Sequence, residues 1–327
     1  MTNVSSGPEP GGAQRPEDTR VVFMGSPAFA VPSLRALPGA GYVVAGVVTQ
    51  PDKPTGRGGK VAAPEVKVAA LELGLPVLQP ERMRDEAFQA ALRAFRPDVL
   101  VVAAYGKILP QAVLDIPSRG PINVHASLLP RWRGASPIAA AILAGDSETG
   151  VSIMEMALKM DAGPLVAAAR EGILPDDTSG SLEGRLARLG ASLLIGTLPG
   201  WYDGRTPAVP QDESLVTTCG LIAKSAGHLS RSMTAAAAER AVRAYSPWPG
   251  AYIDYRRERL AIWQAHVELG EAGEPGAMVP IRKRPAISFA GGLLVLDLVQ
   301  RPGKARVSGQ QFLAGERGQL EAMAGLA

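Results

Sequence analysis

Residues 123–130 read NVHASLLP, and the rest of the chain is best understood as support for this stretch. Residues 122–125 follow a proline break and predict a short β-strand. Side chains alternate along a strand, so Asn123 and His125 project from the same face. Residues 127–130 then turn the chain away from the strand. The stretch therefore predicts an amide and an imidazole side by side at the end of a strand.

An amide donor beside an imidazole suits acyl transfer. A developing oxyanion needs fixed hydrogen-bond donors, and removing one such donor costs about 3–4 kcal/mol of transition-state stabilisation. An imidazole can donate or move a proton near neutral pH, which is worth about 10²–10⁴ in rate. The alternative is that both side chains are satisfied polar groups in a buried strand end. The residue types alone leave these two interpretations open.

Upstream of this stretch, short apolar runs alternate with segments of helical periodicity. Strands are predicted at residues 20–24, 43–49, 77–78 and 99–103, and helices at residues 27–37, 64–73 and 85–95. This alternation predicts a doubly wound α/β domain with a mostly parallel sheet. The first turn reads GSPAF at residues 25–29 and lacks the G-x-G-x-x-G pattern. A dinucleotide site is therefore poorly supported.

Downstream, the pattern continues and then changes. We expect a helix at residues 137–143, strands at residues 149–156 and 164–171, and a helix at residues 181–201 that is interrupted near Gly196 and Pro199. An Ala-rich helix and four short apolar segments follow, at residues 234–245, 260–267, 277–281, 286–289 and 293–299. Short apolar segments at close spacing are typical of a small antiparallel β-barrel of the oligonucleotide-binding type.

The chain of 327 residues is long enough for two ordinary domains. We predict a disordered tail at residues 1–18, an α/β domain at 19–203, a linker at 204–220 and a C-terminal β-barrel domain at 221–327. The tail is rich in Gly, Pro, Glu and Ser and has no apolar core of a signal peptide.

Composition narrows the possible classes of protein. No apolar run approaches the roughly 18 residues that a membrane-spanning helix needs. Cys219 is the only cysteine, so no intrachain disulfide is possible, which fits a reducing cytoplasm. The three histidines lack zinc-like spacing to one another or to the cysteine, so we predict no metal centre. We expect a cytoplasmic monomer that acts away from membranes.

Positive charge is concentrated towards the C-terminus. Residues 214–327 hold 14 Lys and Arg against 9 Asp and Glu, while residues 1–213 hold 20 against 22, so the two parts carry +5 and −2. A basic C-terminal part suggests an anionic partner such as RNA, although ordinary solvated surface also fits. Residues 50–60 combine prolines, glycines and cations and predict an exposed loop. This loop is either a mobile surface connection or a basic finger for phosphates.

The central stretch, together with YGKILP at residues 105–110 and MDAGP at 160–164, resembles the folate-dependent formyltransferases. Within this family the match is closest to the members that formylate the amino group of initiator methionyl-tRNA for translation initiation. The resemblance spans about residues 20–315 and is more specific in the N-terminal half. It implies 10-formyltetrahydrofolate as the formyl donor and initiator methionyl-tRNA as the acceptor.

The resemblance also implies roles for individual residues. The catalytic residues of the family match Asn123, His125 and Asp161. Without the resemblance, Asp161 before Ala162-Gly163 reads as an ordinary turn former. The folate segment of the family matches four consecutive residues, Ser127, Leu128, Leu129 and Pro130.

The family also carries a Pro- and Gly-rich basic insertion that meets the tRNA acceptor stem, and residues 50–60 resemble it. Arg57 is the preferred contact with tRNA, with Lys53 and Lys60 assisting. Lys224 corresponds to one lysine of a charged segment that the family usually has at the linker end. The rest of that segment is replaced here by LIAKSAGH at residues 221–228, which places tRNA contacts there in doubt.

Four other functions are less well supported by the sequence. A formyltransferase acting on a small amine (a sugar or a ribonucleotide) or a formyltetrahydrofolate hydrolase would share the catalytic residues, but the basic loop and the C-terminal domain argue against both. A non-catalytic RNA-binding protein on a retired enzyme fold is the alternative outside enzymes, and the intact set of Asn123, His125 and Asp161 argues against it. An NAD oxidoreductase lacks its glycine fingerprint.

Overall fold

A computed structural model describes residues 15–55, 60–270, 273–317 and 320–323 of the chain. The described residues group into two compact units. The first unit contains the described residues up to Gly134 together with Gly150–Glu171 and Gly184–Thr218. The second contains Ala135–Thr149, Gly172–Glu183 and the described residues from Cys219 onwards.

The first unit is built on a parallel-dominated sheet. Its strands are β1 Arg20–Gly25, β2 Val43–Val48, β3 Lys53–Thr55, β4 Lys60–Ala62, β5 Val77–Leu78, β6 Val99–Ala103, β7 Gly120–His125, β8 Arg133–Gly134, β9 Glu148–Glu155 and β10 Leu165–Gly172. Within the described residues, seven strands form one sheet in the order β10-β9-β7-β6-β1-β2-β5. β1 is parallel to β2 and β6, and β6 is parallel to β7. The predicted mostly parallel α/β sheet is confirmed.

The central strands form because their β-branched and apolar side chains are buried on both faces. Residues 21–24 of β1 and 99–101 of β6 are completely buried. The helices of the first unit are α1 Val31–Gly39, α2 Glu65–Glu72, α3 Glu86–Ala94 and α4 Gln111–Leu114. Helix α5 Pro137–Ala144 lies in the second unit, and α6 Ser179–Tyr202 begins in the second unit and continues in the first. α3 begins where the Asp85 side chain accepts a hydrogen bond from the Ala87 amide at 3.0 Å. Its buried residues Phe88 and Leu92 pack in a cluster with the central strands.

The second unit contains an antiparallel sheet, which confirms the fold class predicted for the C-terminal part. After the short strand β11 Thr218–Cys219, the strands are β12 Ala251–Tyr255, β13 Glu258–Glu268, β14 Met278–Ile281, β15 Arg284–Phe289, β16 Gly292–Gln300 and β17 Val307–Ser308. The sheet order is β12-β13-β16-β15-β14, and β17 pairs with β16. The helices are α7 Ala235–Ala244 and α8 Gly309–Gly315, and α7 places its alanine-rich face in the core of the unit.

The structure corrects two predictions of local structure. α6 runs from Ser179 to Tyr202 without the break expected near Gly196 and Pro199. Its leucines are buried along one face, and this tertiary packing outweighs the low helix propensity of glycine. The stretch at residues 50–60, expected to be wholly loop, contains β3 and the first residue of β4, which pair in an antiparallel ladder.

No helix within the described ranges is long and apolar enough to cross a bilayer.

Gly196 and Gly204 provide a matched test of how α6 is stabilised. A Cβ added at either residue would have no atom within 4 Å. Gly196 lies inside the helix, so Gly196→Ala should stabilise the protein by about 1 kcal/mol. Gly204 has a φ of +77°, so Gly204→Ala should destabilise it by about 1–2 kcal/mol. Urea unfolding followed by circular dichroism measures both, and equal effects of the two substitutions would contradict the continuous helix.

Candidate active site

The carboxyl end of β7 carries the first two predicted site residues. β7 lies between β6 and β9, where Asn123 is opposite Val102 on one side and Met154 on the other. This pairing fixes the backbone, so Asn123 and His125 share one face of the strand, as alternation requires. Their side chains are only 8% and 7% exposed. The strand thus holds both polar groups rigidly at the edge of the buried core.

The Asn123 amide has a feature that the sequence does not show. Although it is nearly buried, its side chain makes no hydrogen bond with any residue that the structure describes. Its polar atoms are not among the fully enclosed side-chain atoms that lack a partner within the described residues, so they can reach solvent or a ligand. A ligand oxygen that accepts from the amide nitrogen would supply this partner.

His125 makes one hydrogen bond through its ring and faces one carboxylate. Nε2 donates to the carbonyl oxygen of Trp132 at 3.0 Å. Nδ1 lies 3.8 Å from Oδ2 of Asp161, which is an ion-pair distance for a protonated ring and too long for a hydrogen bond. The Trp132 carbonyl therefore fixes the tautomer of the neutral ring, with the proton on Nε2 and the lone pair of Nδ1 towards Asp161.

Asp161 reaches His125 from a strained turn between β9 and β10. Its φ is +51°, in the left-handed region that short polar side chains such as Asp tolerate better than most. The carboxylate oxygen Oδ2 also accepts a hydrogen bond from the Gly134 amide at 2.8 Å. The structure therefore brings Asp161 to His125, while the turn chemistry predicted for Asp161 is also present.

The predicted folate segment is a tightly bonded turn. Ser127 is completely buried, and its hydroxyl donates to the Arg131 carbonyl at 2.6 Å. The Ser152 hydroxyl donates to the Ser127 carbonyl and accepts from the Leu129 amide. The Ser127 hydroxyl and most main-chain groups of the turn already make hydrogen bonds. This segment can therefore offer a ligand chiefly the half-buried side chains of Leu128 and Pro130.

A group of residues that the sequence interpretation missed surrounds this turn. Arg133 is 4% exposed, and its guanidinium donates to Oε1 of Gln211 at 3.0 and 2.8 Å and to Glu213 at 2.8 Å. Thr217 accepts from the Trp132 amide through its hydroxyl at 2.9 Å. Residues 211–217 lie in the segment predicted as linker. Their local sequence pattern does not predict contacts with residues about 80 positions away.

The predicted tRNA-binding residues are more dispersed. Lys53 is exposed in β3, and its ammonium group donates to Gln50 at 2.6 Å. Arg57 lies outside the described residues, as does the side chain of Lys60, whose main chain belongs to β4. Lys224 is exposed in a short 3-10 helix of the second unit. The part of the chain that the structure describes contains no group of three or more His, Cys, Asp or Glu side chains that could hold a metal ion.

Comparison with known proteins matches the formyl transferase family model to residues 19–198 and the model of the formyl transferase C-terminal domain to residues 221–317. The chain belongs to the formyl transferase family. A curated relative in this family is the methionyl-tRNA formyltransferase of Chloroflexus aggregans, which is 46% identical over 299 residues. The alignment covers 90% of this chain and 97% of that protein.

Two solved structures share the formyl transferase fold at low sequence identity. A sugar 3N-formyl transferase, solved in the presence of dTDP and 5-N-formyl-THF, superimposes with a TM-score of 0.65 at 15% identity, over 88% of this chain and 99% of that one. HypX from Aquifex aeolicus in complex with tetrahydrofolic acid gives a TM-score of 0.61 at 16% identity over 90% of this chain. This chain spans 46% of the length of HypX.

Glu213 provides a test of the Arg133 cluster by pH. Its hydrogen bonds from Arg133 and Lys159 lower the pKa of its carboxyl from 4.5 to about 2. A lowered folded-state pKa stabilises the protein above the unfolded pKa, and this contribution is lost as the pH falls from about 4.5 towards 2. At pH 6 the wild type should therefore unfold at a higher urea concentration than Glu213→Gln. At pH 3 the difference between the two unfolding midpoints should be smaller. An unchanged difference would contradict this linkage.

Proposed function

We propose that this chain transfers the formyl group of 10-formyltetrahydrofolate to the α-amine of initiator methionyl-tRNA, giving N-formylmethionyl-tRNA for translation initiation. One observation carries the proposal: the 46% identity to a methionyl-tRNA formyltransferase extends over 90% of this chain and 97% of that protein. The relative has a matching length and aligns with both the N-terminal and the C-terminal part of this chain. A match to the N-terminal part alone would not support methionyl-tRNA as the acceptor.

The donor set at the end of β7 fits a formyl-folate. When bound, the folate supplies a formyl carbon that is open to attack by an amine. The Asn123 amide lacks a partner among the described residues and is a suitable donor for the formyl oxygen. The turn at Ser127–Pro130, with the half-buried side chains of Leu128 and Pro130, would hold the folate beside it.

Asn123 and His125 have complementary roles, because Asn123 acts on the developing oxyanion and His125 acts on the proton of the amine. The Asn123 amide stabilises the oxygen as it gains negative charge. The neutral ring of His125 has its free lone pair on Nδ1, because Nε2–H is bound to Trp132. We infer that Nδ1 takes the proton of the attacking amine and later returns it to the leaving nitrogen. The imidazolium formed in between adds positive charge near the oxyanion.

Asp161 supports this proton transfer. Its carboxylate faces Nδ1 at 3.8 Å, so it stabilises the imidazolium electrostatically and orients the ring. A water molecule between the amine and this pair could relay the proton. No covalent intermediate with the enzyme is required, since the amine of the acceptor is itself the nucleophile.

The direct experiment incubates purified protein with 10-formyltetrahydrofolate and charged initiator methionyl-tRNA and measures formylmethionyl-tRNA. A free-amine sugar and a reaction without acceptor run in parallel. Rapid product on tRNA alone supports the proposal. Transfer to the sugar would replace the acceptor but keep the catalytic residues, and loss of the formyl group without acceptor would indicate a hydrolase.

Substitution of the two strand residues tests the chemistry. Asn123→Ala removes an oxyanion donor and should lower kcat about 10²–10³-fold. His125→Ala removes the proton acceptor and should lower kcat about 10²–10⁴-fold. Single-turnover rates with saturating folate and tRNA give these values, and circular dichroism verifies that each variant is folded. Near-normal turnover of a folded variant would refute the role of that residue.

The basic loop and Lys224 are proposed to bind the tRNA. Replacing Lys53, Arg57, Lys60 or Lys224 by alanine should raise KM for tRNA with little change in kcat. Each lost phosphate contact should also reduce the slope of log K against log salt by about 0.9. Arg93→Ala is the control, because Arg93 is an exposed cation on α3 outside the proposed site. If Arg93→Ala raises KM for tRNA equally, the basic loop contributes only non-specific surface charge and not a specific tRNA contact.

The proposal extends to the domain boundaries, the oligomeric state and the location of the protein. The matches at residues 19–198 and 221–317 support a catalytic domain at 19–203, a linker at 204–220 and a tRNA-binding domain at 221–327. A monomeric, cytoplasmic protein remains a prediction.

A further inference from the structure

One side-chain amide in the first unit uses all its hydrogen-bonding capacity. The nitrogen of Gln211 donates to the carbonyl oxygens of Asp161 and Gly163 at 2.8 and 2.7 Å. Its oxygen accepts two bonds from the Arg133 guanidinium, at 3.0 and 2.8 Å. An amide has two donors and an acceptor with two lone pairs, so Gln211 is saturated.

Both sides of this amide lead to the pair formed by His125 and Asp161. On the acceptor side, Arg133 lies between Trp132, whose carbonyl binds Nε2 of His125, and Gly134, whose amide binds the Asp161 carboxylate. On the donor side, Gln211 holds the main chain of Asp161 itself. Gln211 therefore ties together the two loops that fix the imidazole and the carboxylate.

The turn that carries Asp161 needs such support. Asp161 has a φ of +51°, a conformation that is unfavourable for a residue with a side chain and persists only when its surroundings impose it. The neighbouring residues Leu158 and Met160 are exposed and do not anchor the turn in a core. Gly163 adds a steric constraint, because a Cβ there would overlap the Glu155 carbonyl oxygen. Gln211 bonds the carbonyls on both sides of Ala162 and thereby holds the strained residue in place.

We propose that Gln211 is a positioning residue, which sets the separation and orientation of His125 and Asp161 for proton transfer. This inference rests on the proposed function and deepens it, since Gln211 acts through Arg133 and the main chain of Asp161. Apart from the shorter amide of Asn, no other side chain combines two N–H donors with a carbonyl acceptor. Glutamate at this position would keep the acceptors for Arg133 but turn lone pairs towards the carbonyls of Asp161 and Gly163.

The experiment compares the wild type with Gln211→Ala and Gln211→Glu in the full-length protein. The first variant removes both sets of bonds, and the second keeps only the bonds from Arg133. Gln89→Ala is the matched control, because Gln89 is also buried and donates to a main-chain carbonyl, that of Met83, at 3.2 Å. Urea unfolding verifies that all the variants fold.

Two readouts separate positioning from general stability. The first is the split between kcat and KM in the formylation assay. Since a misplacement of about 1 Å can cost about 10²-fold, kcat should fall about 10–100-fold in both Gln211 variants with little change in KM. The second is the ¹⁵N spectrum of the imidazole nitrogens without substrate. With three histidines in the chain, His228→Gln and His266→Gln suffice to assign the signals of His125.

We expect the His125 nitrogen signals to move in Gln211→Ala and Gln211→Glu and to stay in place in Gln89→Ala. Folded Gln211 variants with unmoved His125 signals would overturn the inference, whatever their activity. Moved His125 signals in a protein whose wild type forms no formylmethionyl-tRNA would support the positioning role while refuting the proposed function. The spectrum therefore separates the two failures.

Discussion

The site depends on how one buried charge is satisfied. A guanidinium as enclosed as that of Arg133 cannot lose its solvation without acceptors, because an uncompensated buried charge costs several kcal/mol. Gln211 supplies neutral acceptors and Glu213 supplies a compensating carboxylate at the exposed end. Meeting this requirement draws residues 211–217 onto the loop between β7 and α5. The same loop presents the Trp132 carbonyl to His125, so the electrostatics of Arg133 and the tautomer of the imidazole are settled together.

The sequence predicts those features that depend on local pattern. The strands β1, β6 and β7 follow from β-branched runs, and the juxtaposition of Asn123 and His125 follows from the two-residue period of a strand. The continuity of α6 could not be predicted, because the buried leucines that outweigh Gly196 are recognisable as a packed face only once the sheet exists. The contacts of Gln211 are even harder to predict from the sequence, because their partners lie tens of residues away and share no motif with it.

Asp161 shows why turn chemistry and site chemistry are hard to distinguish in a sequence. A short carboxylate tolerates the left-handed backbone better than most side chains, which is the ordinary reason for Asp in a turn. That same backbone directs the carboxylate to the Gly134 amide and to His125. One residue type satisfies both demands, so local reasoning identifies the turn, and only the arrangement in three dimensions or a family resemblance identifies the site.

The placement of Gln211 and Thr217 has a consequence for modularity. The formyl transferase match ends at residue 198, and the C-terminal match begins at 221. A fragment cut at the first boundary would lack the acceptors of Arg133 and the hydroxyl that holds the Trp132 amide. Chimaeras that exchange C-terminal domains between relatives should therefore join after Thr217. The hydrogen bonds that hold the site therefore extend beyond residue 198, where the match to the N-terminal family model ends.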